Sequence, residues 1–148
     1  FLGLAFNYGA LLGWAAVQGS LGIAPVVMYF GGIAWTLGYD TIYAHQDKED
    51  DILIGVKSTA LKFGETTKYW LMGFYAVTIT ALLVAGTIVG PTALFYLLMI
   101  GAGLHLVWQI RTLEIDDGDR CLLLFKSNRN FGLIVLAAII LGKFSLPL

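Results

Sequence analysis

Tyr39-Asp-Thr-Ile-Tyr-Ala-His-Gln-Asp-Lys-Glu-Asp-Asp51 stands directly behind an apolar run from Ala24 to Gly38. Half of the chain's ten acidic residues fall in this stretch, as Asp40, Asp47, Glu49, Asp50 and Asp51, against the single cation Lys48. The junction reads as a greasy helix ending in a dense negative cluster. Carboxylates at a helix C-terminus face the negative end of the macrodipole and cost stability. Continued as helix, the stretch sets Asp47 and Asp51 at i and i+4, a like-charge pair that costs more. Asp40 falls on the same face two turns earlier. Three carboxylates in line, each locally unfavourable, call for a counter-charge. A hard divalent cation such as Mg²⁺ suits them, because it takes oxygen ligands and bridges carboxylates to substrate phosphates. The competing reading is a solvated acidic loop end.

Outward from this junction the chain is written for lipid. Of its 148 residues 58% are hydrophobic and 13% charged, against about 25% charged in a soluble domain. The mean hydropathy is +0.79. A helix crosses a bilayer with about 20 mostly apolar residues. Five segments come close to that requirement: 1–18, 25–44, 69–89, 92–111 and 131–144. Runs of this length are not barrel strands, and only helices and closed barrels cross lipid. The predicted fold is therefore an all-α membrane protein of about five transmembrane helices, with a cap-like connection over 45–68. A net charge of −1 gives no footprint for nucleic acid, and the lone Cys121 rules out an internal disulfide. The chain opens at Phe1 inside an apolar run, and we expect an amino-terminal part to precede it in a longer protein.

The connections set an orientation. Lys48, Lys57, Lys62 and Lys68 follow the second segment, and Arg111, Arg120, Lys126 and Arg129 lie between the fourth and fifth. The opposite connections, 19–24 and 90–91, hold no basic residue. Positive charge marks the cytoplasmic or matrix side, so the acidic cluster faces that side too. Within the cap-like connection Ser58 or Thr59 is placed to cap a short helix that Gly64 closes. Free N–H groups at its start, beside Lys57, make a candidate anion site. For Lys57 and Lys62 the plain alternative is snorkelling to the headgroup level. Glycine pairs, among them Gly9/Gly13, Gly31/Gly32 and Gly101/Gly103, are expected at helix contacts. His105 reads as a hydrogen-bonded interior residue, and Asp116-Asp117-Gly118-Asp119 as a solvated turn.

The acidic stretch, followed by Ile54-Gly-Val-Lys-Ser-Thr-Ala60 and Phe63-Gly64, closely resembles the second aspartate-rich region of the UbiA superfamily of intramembrane prenyltransferases. Its Tyr-Asp-Thr-x-Tyr-Ala start resembles the branch acting on 4-hydroxybenzoate. Asn7 to Trp14, His105 to Gln109 and Phe125 to Ile134 resemble neighbouring helices of the same family, so the likeness runs along essentially the whole chain. The resemblance implies the carboxy-terminal half of a nine-helix bundle around a cavity open sideways to lipid. It implies transfer of a polyprenyl group from polyprenyl diphosphate to the ring of 4-hydroxybenzoate, a step of ubiquinone synthesis, with Mg²⁺ as cofactor. On that likeness Asp47, Asp51 and Asp40 are the catalytic candidates. Asp47 and Asp51 hold the metal, supported by Asp50. Lys57, Lys62, Tyr43 and Asn128 are the substrate-binding candidates, with Trp35 and Tyr39 as further aromatic walls. Asn128 and Arg129 are expected at the entry to the fifth span, where capping and headgroup contact compete with substrate contact.

The family's first aspartate motif is absent here, so this chain alone is expected to be inactive and to need an amino-terminal half, in the same polypeptide or a separate one. The expected location is a mitochondrial or bacterial inner membrane. Two other functions fit the same residues: a non-catalytic membrane subunit derived from the family, and a UbiA-type enzyme with another aromatic acceptor.

Overall fold

The structure, a computed structural model, describes residues 2–48, 51, 53, 55 and 57–143. In chain order they form α1 (Leu2–Gln18), α2 (Ile23–Gln46), α3 (Thr59–Phe63), a 3-10 turn (Gly64–Thr66), α4 (Thr67–Val89), α5 (Ala93–Thr112) and α6 (Gly118–Leu141). There is no strand among the described residues. The protein is an all-α membrane protein with five long helices. The stretch Thr59–Val89, α5 and α6 are each long and apolar enough to cross a membrane on their own. α1 is only 17 residues long, and α2 dilutes its apolar run with Asp40, His45 and Gln46. The outward faces are lipid-like: Leu97, Ile100 and Leu104 on α5 are each more than 60% exposed. A continuous apolar stripe of that kind would be a liability in water.

Local chemistry fixes the helix ends. Ser58 caps α3, its hydroxyl accepting from the Leu61 N–H at 3.5 Å, and Gly64 closes it at a φ of +47° that favours a residue without a Cβ. Gly90 ends α4 in the left-handed conformation, its N–H bonding the Gly86 carbonyl. Asp117 caps α6 by accepting from the Arg120 N–H at 2.9 Å. That cap corrects two expectations. The 116–119 stretch initiates a helix, and the last long helix begins at Gly118, well before residue 131. The sequence places Arg120 and Lys126 in the connection and Asn128 and Arg129 at the entry to the fifth span, because they are polar. They ride on the first turns of α6, where no Pro or Gly lies between Gly118 and Gly132 to interrupt the helix. Asn128 is therefore buried well inside the helix rather than standing at its entry.

α2 is the spine, packed against α1, α3, α4 and α6. Its approach to α4 is set by Gly31, where an added Cβ would lie 2.7 Å from the Ala81 Cβ. Gly9, Gly13, Gly101 and Gly103, expected at similar contacts, meet nothing within 4 Å.

Between α4, α5 and α6 the interior is tied by one polar clamp. Tyr75 donates from its hydroxyl to Gln109 Oε1 at 2.8 Å, and Gln109 Nε2 donates to Ser127 Oγ at 2.8 Å and to the Leu124 carbonyl at 3.2 Å. Gln109 is fully buried, and polar groups at this depth must be satisfied within the bundle. His105 sits at the clamp's edge, its Nε2 3.4 Å from both Gln109 Nε2 and Ser127 Oγ.

Candidate functional site

The acidic stretch begins at the end of α2. α2 closes at Asp47, and the Asp51 N–H bonds the Asp47 carbonyl at 2.9 Å. This i to i+4 bond sets the two carboxylates one turn apart on one face. Both residues are partly exposed. Asp40, two turns back, is half-buried. Among the described residues the ion pair is Lys48 Nζ to Asp116 Oδ1 at 3.2 Å, and no described pair includes Asp40, Asp47 or Asp51. Asp50 lies outside the described residues. No group of three or more His, Cys, Asp or Glu among the described residues gathers closely enough to enclose a metal ion. Two acceptor-only carboxylates on one face still fit Mg²⁺, which keeps several waters and binds through one or two carboxylates plus substrate phosphate.

The Lys48–Asp116 pair also joins the 45–68 connection to the turn between α5 and α6. The two basic connections therefore meet at one end of the bundle. Lys57 and Lys62 are exposed on this end. α3, at five residues, is too short to carry a useful dipole. The expected anion site at its start therefore reduces to the charge of Lys57.

Behind the carboxylates runs an aromatic ladder. Trp35, Tyr39 and Tyr43 recur at every fourth residue on one face of α2. Tyr43 packs on Phe125 with ring centroids 4.8 Å apart, and Tyr39 meets the same ring edge-on at 5.8 Å. Trp35 packs on Tyr39 at 5.3 Å and on Phe131 at 5.0 Å. Asn128 holds the far end in place: its Oδ1 accepts from the Trp35 indole N–H at 2.9 Å, while its Nδ2 donates to the Leu124 and Phe125 carbonyls. Asn128 thus spends its amide on α6 and Trp35 and touches the cavity through that indole.

The ladder opens into an apolar cavity of about 230 Å³ lined by Asn7, Met28, Trp35, Thr78, Phe131 and Val135, among others. From Trp35 to Asp47 the helix axis covers about 18 Å at about 1.5 Å per residue. α2 and the turn that follows it therefore connect an apolar slot, a row of π faces and a pair of carboxylates. Phe125 and Phe131 were not singled out from the sequence; the i, i+4, i+8 spacing of Trp35, Tyr39 and Tyr43 is the signal that a partner row faced them. An arrangement of this kind can hold an apolar chain, shelter developing positive charge against ring faces and meet a charged head group at the boundary.

Comparison with known proteins shows the family of the chain. The family described as the UbiA prenyltransferase family matches residues 1–142. The mitochondrial 4-hydroxybenzoate polyprenyltransferase of Homo sapiens is 54% identical over 143 residues, covering 96% of this chain and 38% of that protein. Its counterpart in Drosophila melanogaster is 53% identical over 95% of this chain and 36% of its own length. In Arabidopsis thaliana the protein of the same name is 48% identical over 97% of this chain and 35% of its own length. The chain thus spans a little over a third of the curated relatives it matches. No solved structure matches it.

Proposed function

This chain belongs to the UbiA prenyltransferase family, and from that premise we propose that it is the carboxy-terminal part of a 4-hydroxybenzoate polyprenyltransferase. The complete enzyme transfers a polyprenyl group from its diphosphate to the ring carbon ortho to the hydroxyl of 4-hydroxybenzoate, in the service of ubiquinone synthesis. We place it in the mitochondrial inner membrane with the acidic turn toward the matrix, in keeping with the mitochondrial names of its relatives. The observation that carries this reading is the Asp51-to-Asp47 backbone bond of 2.9 Å. It sets two carboxylates, with no ion pair among the described residues, at the end of the ladder of rings.

Each group then has a task. Asp47 and Asp51, with Asp50 beside them in sequence, would hold Mg²⁺, and Asp40 adds negative charge two turns deeper. The metal, when bound, offsets the charge of the departing diphosphate. Lys57, exposed at the same end, and Lys62 behind it offer further positive charge to the diphosphate oxygens. The allylic C–O bond breaks with its electron pair going to diphosphate. The ring carbon of the acceptor forms the new C–C bond and then loses its proton to the released diphosphate, regaining aromaticity. Tyr43, packed on Phe125, and Tyr39 and Trp35 behind it present π faces that favour the transient allylic cation and exclude water. The cavity between Trp35 and Phe131 receives apolar chain, and Asn128 fixes the indole that forms its wall.

We assign the second side of the diphosphate clamp to the part of the longer relatives that this chain does not span. The test is to express this chain together with the corresponding half of the Homo sapiens relative and to measure Mg²⁺-dependent transfer in membranes. Activity should require both halves, and Asp47→Ala or Asp51→Ala should abolish it. Near-normal turnover in either variant would remove the assignment. Full folding and association of the halves with no transfer would favour a non-catalytic membrane subunit, and transfer to a different aromatic acceptor would reassign the substrate.

A further inference from the structure

His45 occupies the last turn of α2, two residues before Asp47, and is only 4% exposed. Its Nε2 lies 2.8 Å from the hydroxyl of Thr67, the first residue of α4. Thr67 is fully buried, and its Oγ1 lies 2.7 Å from the Gly64 carbonyl. A carbonyl only accepts, so with the Thr67 hydrogen on Gly64 the imidazole donates from Nε2. One buried bond therefore joins the residue just before the acidic turn to the residue just after the whole cap-like connection. Asp47, Asp51, Lys57 and Lys62 all lie on the segment between its two ends.

Simple satisfaction of polar groups does not account for this histidine. The Thr67 hydroxyl already has an acceptor in Gly64, so an apolar residue at position 45 would strand nothing. His45 instead carries a second nitrogen, Nδ1, into the interior with no hydrogen-bond partner among the described residues. That choice costs stability. It is understandable where a precise register is worth more than the cost. The other brace of this turn, Lys48 to Asp116, has an acceptor that is 79% exposed, and ion pairs in water contribute little. The buried bond is the stiffer of the two.

We propose that the His45–Thr67 bond is a latch that holds the Asp47–Asp51 turn in register for its cation, making His45 a positioning residue. The proposal rests on the reading above that these carboxylates bind Mg²⁺. Groups that orient metal ligands from behind are typically worth about 10–100-fold in affinity, and the lower end applies to a residue acting through the backbone.

The experiment uses the two-half enzyme in detergent and follows two readouts: the Mg²⁺ concentration for half-maximal transfer, and that for the half-maximal Mg²⁺-dependent rise in melting temperature. Both should increase about tenfold in His45→Ala and in Thr67→Val, which is nearly isosteric and carries the test if His45→Ala fails to fold. His45→Gln, whose amide can donate to Thr67, should return within about twofold of the parent, and the double variant should be no worse than His45→Ala. Gln109→Ala, which loosens the bundle elsewhere, should lower the melting temperature without moving the Mg²⁺ midpoint. Midpoints unchanged in Thr67→Val beside an inactive Asp51→Ala would overturn the latch alone. An Asp51→Ala variant that keeps both its turnover and its Mg²⁺ response would overturn the metal reading and the latch with it.

Discussion

Replacing Asp51 with Asn should make the protein more stable in the absence of divalent metal. The structure supplies the sign. The Asp51 N–H bonds the Asp47 carbonyl, so the two carboxylates stack at i and i+4, and such a like-charge pair costs about 0.2–0.5 kcal/mol. Asp47 caps the C-terminal end of α2 and Asp51 lies one turn beyond it, where the fading dipole adds about 0.3 kcal/mol. Both are partly exposed, and solvent screening keeps the total at about 0.5 kcal/mol. For a chain of this size that is a rise in melting temperature of about 1–2 °C. Added Mg²⁺ should invert the order. At ten times its dissociation constant a ligand stabilises the parent by about 1.4 kcal/mol, while the variant, having lost one ligand, gains far less. The assay is thermal unfolding followed by circular dichroism in detergent micelles, with EDTA and then across a Mg²⁺ series. Asp51→Asn melting below the parent in EDTA would refute the claim that these carboxylates are uncompensated. Equal stabilisation of both proteins by Mg²⁺ would refute the claim that Asp51 binds it.

Three further outcomes follow from the packing. Gln109→Ala should destabilise by about 2–3 kcal/mol, because it strands the Tyr75 hydroxyl in the interior, whereas Tyr75→Phe should cost nearer 0.6–1.5 kcal/mol; chemical unfolding in micelles reads both. Gly31→Val should cost about 1–3 kcal/mol by forcing α2 from Ala81, seen as a lower melting temperature. Gly132→Leu should fill the cavity between Trp35 and Phe131 and depress transfer from long prenyl donors several-fold more than from short ones, measured by competing donors of different length.

The long helices were legible because lipid permits few alternatives, and an apolar run with a breaker at each end is read in only one way. The Ser58 cap and the Gly64 stop were legible for a similar reason, since their chemistry is local. The start of α6 was not. Arg120, Lys126, Asn128 and Arg129 look like a loop to any hydropathy argument, yet a capped helix tolerates them where its first turns reach the boundary. The expected glycine contacts divided along the same line. Gly31 meets Ala81, while Gly9 and Gly13 meet nothing within 4 Å among the described residues, because spacing alone does not say which face a partner occupies. At the site, the register of Asp47 and Asp51 could be read from periodicity. The second row of the aromatic ladder, Phe125 and Phe131, and the bonds of Asn128 to Trp35 and of His45 to Thr67 could not. They join residues far apart in sequence, and only the assembled bundle brings them together.

Placing the rings and the slot on one helix, with the carboxylates at and just past its end, has a mechanical consequence. Reactive groups are useful only when held to a fraction of an ångström, and helices hold side chains better than loops do. α2 is fastened to α6 through Trp35 and Asn128 at one end and to α4 through His45 and Thr67 at the other. Between those points Tyr39 and Tyr43 are backed by Phe125, so their faces are set by packing rather than by exposed rotamers. A cation released at the acidic end would meet rings already in position, with no reorganisation at the moment of bond breaking. Loosening either fastening should therefore harm transfer in a recognisable way. The Trp35 end should affect donor length and the escape of the cation to water, and the His45 end the demand for metal. Asn128→Leu, which frees the indole N–H but keeps the volume, separates the two: it should raise the ratio of hydrolysed to transferred prenyl diphosphate while leaving the Mg²⁺ midpoint in place. A shifted Mg²⁺ midpoint with an unchanged product ratio would show that the two ends of α2 do not act independently.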